Sequence, residues 1–184
     1  ALIDPPDTNA AELYLRVLAT DPGNPVATAG ITDLVGRLIT TINEYLTAGD
    51  LVSAGELVAR AGALGLDQTE VIEARQRLES ELARFNSVTR KLEEARELLA
   101  RGLITEPPEH NAVLLLREVE SLDPGNQAAR AMLEQSAERL AAVAQEVHGL
   151  GMRRRGREYL ALALSVRPDV EAWQQQLARW TRDD

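Results

Sequence analysis

The sequence predicts an all-α protein: antiparallel helix pairs arranged as two duplicated modules joined by a long helix. Three observations carry this. Apolar residues recur at the three- and four-residue spacing of helices. The composition is dominated by Ala, Leu, Glu and Arg with only 3% aromatics, which favours helix because these unbranched side chains lose little rotamer freedom there. The chain also repeats itself. Its 184 residues, 45% hydrophobic and 27% charged, are the proportions of one or two small domains able to bury a core.

The repeat is seen by sliding the sequence against itself. At an offset of 102, residues 1–82 align with 103–184 without a gap, and 21 of the 82 positions are identical. The shared residues include Pro5-Pro6 with Pro107-Pro108, Asn9-Ala10 with Asn111-Ala112, and Asp21-Pro22-Gly23-Asn24 with Asp123-Pro124-Gly125-Asn126. This divides the chain into a first helical module at 1–66, a connecting helix at 67–102 and a second module at 103–184.

The first helix is predicted from Thr8 to Thr20, with Ala10, Leu13, Tyr14, Val17 and Leu18 as its apolar stripe. Asp21-Pro22-Gly23-Asn24 stops it, since Pro22 cannot continue the ladder and Gly23 is expected to supply a left-handed residue. Asn24 caps a second helix that starts with Pro25 and ends near Gly49. It carries Ile31, Leu34, Val35, Leu38, Ile39, Ile42, Tyr45 and Leu46 on one face. Asp50 caps a third, which presents Leu51, Ala54, Leu57, Val58, Ala61 and Leu64 and ends at Gly65. Between Gly65 and Gly102 there is no glycine or proline, and Val71, Leu78, Phe85, Leu92 and Leu99 recur every seven residues. That pattern predicts one long helix of roughly 50 Å, or a hairpin broken at Asn86-Ser87. The second copy is predicted as helices near 109–122, 126–149, 151–166 and 168–182, and no strand is needed.

The string Asn9-Ala10, Tyr14, Val17, Leu18, Asp21-Pro22, Asn24, Ala27 resembles the second helix of a tetratricopeptide repeat (TPR) running into the first helix of the next. Tyr45, Gly49, Asp50, Ala54, Val58 and Ala61 look like the next instance. The departure is in length, because Ala10 to Ala54 spans 44 residues where the family repeat has 34. The Pro-Pro-x-x-Asn-Ala lead-in and the long second helix are similar to TPR-like regions of bacterial kinases and TonB-like envelope proteins. The resemblance implies an α-solenoid whose concave face takes up a protein or peptide partner. It further implies a non-enzymatic scaffold or adaptor region of a larger bacterial protein, in cytoplasm or periplasm. The start at Ala1 without methionine, in mid-motif, leads to the same expectation of a fragment or processed chain. The lysines and asparagines of a two-carboxylate clamp do not carry over, as Lys91 is the single lysine.

Other chemistry has little support in the residues. There is no cysteine, so thiolate catalysis, Cys-ligated zinc and iron–sulfur clusters are excluded. His110 and His148 form no metal-binding pair, and no cofactor or metal is expected. A net charge of −9 argues against nucleic-acid binding. No apolar run is long enough to insert in a membrane. Arg153, Arg154, Arg155 and Arg157 are the candidate site for an acidic partner or anion, since each guanidinium is a planar fork of donors. A solvated helix face is the competing reading. Trp173 and Trp180 fall seven apart on the last helix, as core residues or as an assembly edge. Residues matched between copies, Arg37 with Arg139, Glu44 with Glu146, Glu56 with Glu158 and Arg77 with Arg179, are expected to form inter-helix ion pairs. The alternatives to a scaffold are a homodimerising spacer and a regulatory domain sensing an anion or phosphopeptide.

Overall fold

The computed structural model describes residues 9–182, and in that span the chain is eight α-helices with no strand. They are α1 (Ala10–Thr20), α2 (Pro25–Ala48), α3 (Leu51–Ala63), α4 (Thr69–Ala100), α5 (Ala112–Leu122), α6 (Gln127–Gly149), α7 (Arg153–Val166) and α8 (Glu171–Arg182). Two compact units result, 1–85 and 86–184, and the division falls inside α4. That helix runs unbroken through Asn86-Ser87, so the hairpin alternative does not hold. The predicted start of α1 at Thr8 lies outside the described residues. The starts of α5, α6, α7 and α8 each follow those of α1, α2, α3 and α4 by 102 residues.

Asparagine side chains fix the starts of α1, α2, α5 and α6. Asn9 and Asn111 accept from the backbone N–H of Glu12 and Leu114 at 3.0 and 2.9 Å, and Asn24 and Asn126 accept from Ala27 and Ala129 at 3.0 and 2.9 Å. Each satisfies a donor that the helix itself leaves orphaned. Asn111 also donates to the carbonyl of Pro107 at 2.9 Å, tying the Pro-Pro lead-in to the helix that follows.

The Asp-Pro-Gly-Asn turns work differently from the expectation. Gly23 and Gly125 are not left-handed; the positive-φ glycines are Gly49, Gly65, Gly102 and Gly151. The helix ends at Thr20 as expected, but the residue that leaves it is Asp21, two positions before Gly23. Asp21 leaves it at φ −135°, ψ 84° and Asp123 at φ −141°, ψ 84°, outside the α region that a following proline disfavours. The turn is then closed by Asn24 and Asn126 donating from both backbone and side chain to Asp21 and Asp123.

Helices pack chiefly on their chain neighbours, and the two- to four-residue turns make such neighbours antiparallel. In the first unit Leu34, Leu38 and Ile42 of α2 pack with Ala54, Val58 and Ala61 of α3 and with Leu66, Val71, Ala74 and Leu78. Each fully buried Leu or Ile contributes about 1.5–3 kcal/mol. The second core joins Val88, Ala95 and Leu98 of α4 to Leu115, Leu116 and Val119 of α5, Leu133 and Leu140 of α6, and Leu160 and Ala163 of α7.

Two predicted stripes are corrected. Phe85 is 60% exposed, and the buried set of α4 jumps from Leu78 to Val88. A 3.6-residue helix drifts about 20° per heptad, so a seven-residue stripe does not stay on one face over four heptads unless the helix supercoils. On α1, Leu13 is 52% and Val17 40% exposed, although Leu115 and Val119 at the same places in the second copy are buried, at 8% and 0%. The spacing shows which residues share a face but not whether anything covers it.

Candidate functional site

In the first unit, α2 and α4 leave a cleft of about 690 Å³ lined by Asn43, Leu46, Thr47, Glu73, Gln76, Arg77, Ser80 and Glu81. α2 presents Asn43, Leu46 and Thr47 because they lie at i, i+3 and i+4. α4 presents its residues at i, i+3, i+4, i+7 and i+8. Arg77 crosses the cleft, donating from Nη1 to Asn43 Oδ1 at 2.9 Å, with Glu73 behind it at 3.8 Å. The lining therefore offers a guanidinium, two carboxylates, amides and hydroxyls around one apolar side chain. Such a surface suits hydrogen bonding to a polypeptide segment.

The aligned corner of the second unit is built otherwise. His148 stands at the place of Leu46 and Trp180 at that of Leu78, and their rings stack with centroids 3.9 Å apart and planes at 6°. Trp173 and Trp180 are both half-buried against the core of their unit. Gly156 lets α7 approach α6 at this point, since a Cβ there would lie 2.6 Å from His148 Cβ and 3.0 Å from the carbonyl oxygen of Ala144.

The arginine cluster is divided by the fold. Arg153, Arg154 and Arg155 are exposed on the first turn of α7, which begins at Met152 without a side-chain cap. Arg154 reaches Glu158 at 2.8 Å within the same helix, which raises its own pKa further through that hydrogen bond. Arg157 turns the other way. Half-buried, it donates from Nη1 to the carbonyl of Trp180 at 3.2 Å, in the last turn of α8. Two further arginines of this unit act in the same manner: Arg117 donates to Val166 O at 2.7 Å at the end of α7, and Arg139 to Leu99 O at 3.4 Å at the end of α4. Cations there meet carbonyls at the helix ends, that of Leu99 also accepting from the Gly102 N–H, and oppose the negative end of the helix dipole. Sequence spacing did not single out Arg117, because its acceptor lies 49 residues away.

The expected inter-helix ion pairs between matched residues do not form as a set. Arg37 pairs with Asp33 in its own helix at 2.9 Å and Glu158 with Arg154 in its own, while Arg139 goes to a backbone carbonyl. The same residue type at the same place meets different neighbours in each unit. Elsewhere Arg167 grips Asp169 through two bonds of 2.9 and 2.8 Å, and that fork holds the Asp169 carboxyl at about 2. Hydrogen bonding from Ser53 likewise keeps Asp50, the cap of α3, below the ordinary carboxylate range.

Among the described residues no group of three or more His, Cys, Asp or Glu is placed to hold a metal ion. No helix among them is long and apolar enough to cross a membrane. Comparison of the chain with protein-family models, with curated proteins and with solved structures finds no match.

Proposed function

We propose that this chain is a TPR-like, internally duplicated helical scaffold that binds a protein or peptide partner without catalysing a reaction on it. The observation that carries the reading is the cleft between α2 and α4. In the TPR register read from the sequence, α2 and α4 are both first helices of their repeats, and first helices line the concave face that the resemblance implies for a ligand. The cleft joins these two helices, and its lining is the hydrogen-bonding kind described above. The 102-residue spacing of four helix starts and the paired asparagine caps support the duplication.

The test is selection of peptides from a displayed library of random 16-residue segments on the whole chain. The selected peptides are then titrated against a Thr47→Arg, Ser80→Arg variant that fills the cleft and a Val26→Arg variant that alters another exposed position. The expected outcome is loss of affinity by about tenfold or more for the cleft variant alone, as for residues at an interface centre. Peptides that bind both variants as well as the native chain would remove the cleft from the reading. A concentration-dependent mass by light scattering, abolished by Trp173→Glu with Trp180→Glu while helicity is kept, would favour the homodimerising spacer instead.

A further inference from the structure

One corner of the duplicated module is filled by an aromatic ring in the second unit and by none in the first, and the residues that make the difference are all described. In the second unit the ring of Trp180, on α8, stacks on His148, on α6. At the aligned places the first unit has Leu78 on α4 and Leu46 on α2. Leu78 is buried in the core of its unit, and Leu46 is the apolar residue of the α2–α4 cleft, whose lining holds no aromatic side chain. The module is thus able to seat an indole against the residue at this place on its second helix. Its fold does not require the polar lining, since Thr47, Glu73, Gln76 and Ser80 are Gly149, Gln175, Ala178 and Arg182 in the second unit.

What the lining offers a ligand follows from the bonds it already makes. Arg77 and Asn43 engage each other, and Glu81 is gripped by Arg84 at 2.9 and 2.5 Å. One turn beyond the Asn43–Arg77 bridge stand Leu46, Thr47 and Ser80. The Thr47 hydroxyl donates to the carbonyl of Asn43 at 2.8 Å and that of Ser80 to the carbonyl of Gln76 at 2.9 Å. With their protons used, both oxygens face a ligand as acceptors. The Leu46 end of the cleft is therefore an apolar wall edged by acceptors, which suits an aromatic ring with a donor on its edge. We infer that the cleft is specific for a peptide segment that inserts a tryptophan against Leu46, its indole N–H donating to the hydroxyls of Thr47 and Ser80. This names the ligand class of the cleft and rests on the scaffold reading. Burial of the ring supplies the affinity, and the N–H supplies the choice of tryptophan over phenylalanine, whose ring would cover the same acceptors without pairing them.

The probe is the displayed library made in three versions, with tryptophan, phenylalanine or alanine fixed at the central position of each segment. On the whole chain, selected segments with tryptophan are expected to bind about tenfold or more tighter than their alanine counterparts and about three- to tenfold tighter than their phenylalanine counterparts. Leu46→His with Leu78→Trp copies the stack of the second unit into the first, and should abolish binding by filling the cleft with the chain's own ring. Thr47→Val with Ser80→Ala, both at exposed positions, removes the acceptors and leaves the cleft open. It should keep the aromatic segments bound but make tryptophan and phenylalanine equal, and it decides the inference where the first pair loses helicity by circular dichroism. A preference for tryptophan that this second pair leaves unchanged overturns the inference. Segments that bind the native chain and are lost in the Thr47→Arg, Ser80→Arg variant, but show no preference for tryptophan, overturn it while leaving the scaffold reading standing. Segments indifferent to that variant, or no binding segment at all, remove the cleft from the scaffold reading and the inference with it.

Discussion

In the first unit Tyr14 lies against Gly30, where a Cβ would come within 2.4 Å of the ring; at the aligned places the second unit has Leu116 and Met132. A large residue facing none has been exchanged for two of middle size. The same trade recurs between α3 and α7. Ala54 of the first unit is Gly156 in the second, and Leu46 with Leu78 becomes His148 with Trp180. The helix ends differ too. α3 starts under the Asp50 cap and is followed by left-handed Gly65 at φ 68°, whereas α7 starts uncapped and ends with Arg117 on its last carbonyl. Helix frames are therefore kept by a few asparagines and Asp-Pro turns, while the packing within each frame is redone by compensating volumes. Similar frames do not imply similar surfaces, and binding properties have to be read separately in each unit.

The largest contrast should come from truncating the matched leucines. Leu115→Ala removes a buried side chain next to Val119 and Leu116 and should cost about 2–4 kcal/mol. Leu13→Ala, the same change at the aligned place, should cost less than about 0.5 kcal/mol, because surface substitutions that leave no cavity fall in that range. Urea denaturation of both variants with a shared m-value would measure the difference. Equal costs would mean that Leu13 is covered in solution as Leu115 is.

The next contrast lies at Ala54 and Gly156. Gly156→Ala puts a methyl group 3.0 Å from the Ala144 carbonyl and 3.0 Å from His148 Cα, both backbone atoms that cannot swing aside. The expected loss is about 2–3 kcal/mol, the range for overpacking, with the His148–Trp180 stack disturbed and tryptophan fluorescence shifted. Ala54→Gly makes the converse change in the first unit. It should cost about 1 kcal/mol from helix propensity, with somewhat more for the lost contact at a fully buried site. If Gly156→Ala were neutral, α6 and α7 would have to be able to separate without penalty.

These contrasts also mark how far the sequence can be read. The eight helices of the described residues, the Asn24 and Asp50 caps and the glycines that end α2 and α3 were legible because each depends on residues within four positions of one another, whereas Asn9 and Asn111 cap helices whose starts were expected earlier. The Asp-Pro turn was half legible: its place followed from Pro22, but its mechanism did not, since the non-helical Asp21 does the work expected of Gly23. The exposure of Leu13, Val17 and Phe85 was not legible, because apolar spacing describes a face and not its neighbour. The arginines at helix ends were missed for a similar reason. Arg117, Arg139 and Arg157 meet carbonyls 23 to 49 residues away, and a local pattern has no means of announcing such an acceptor. The cleft between α2 and α4 likewise joins residues over 30 positions apart, as Arg77 and Asn43 show.

The smallest expected effect is a titration, and it sharpens the contrast at the ends of α3 and α7. Arg167 occupies the place of Gly65, and where the first unit turns on a left-handed glycine the second uses the Arg167–Asp169 fork. Hydrogen bonding from Arg167 holds Asp169 at about 2, against 3.8 for the free side chain. A carboxylate whose pKa is lowered on folding binds fewer protons in the native state than in the unfolded one. Its contribution is therefore complete above about pH 4 and is lost as the pH falls toward 2. Carbon-detected NMR titration of the Asp169 carboxyl should follow that window. Arg167→Gln should return it toward its ordinary value and flatten the acid dependence of stability between pH 4 and 2. An Asp169 that titrates at its ordinary value in the native chain would show the fork to be open in water. The end of α7 would then rest on Arg117 and on the Arg167 contacts to Glu134 and Ala163 O, and Arg117→Gln should become the more damaging substitution of the two.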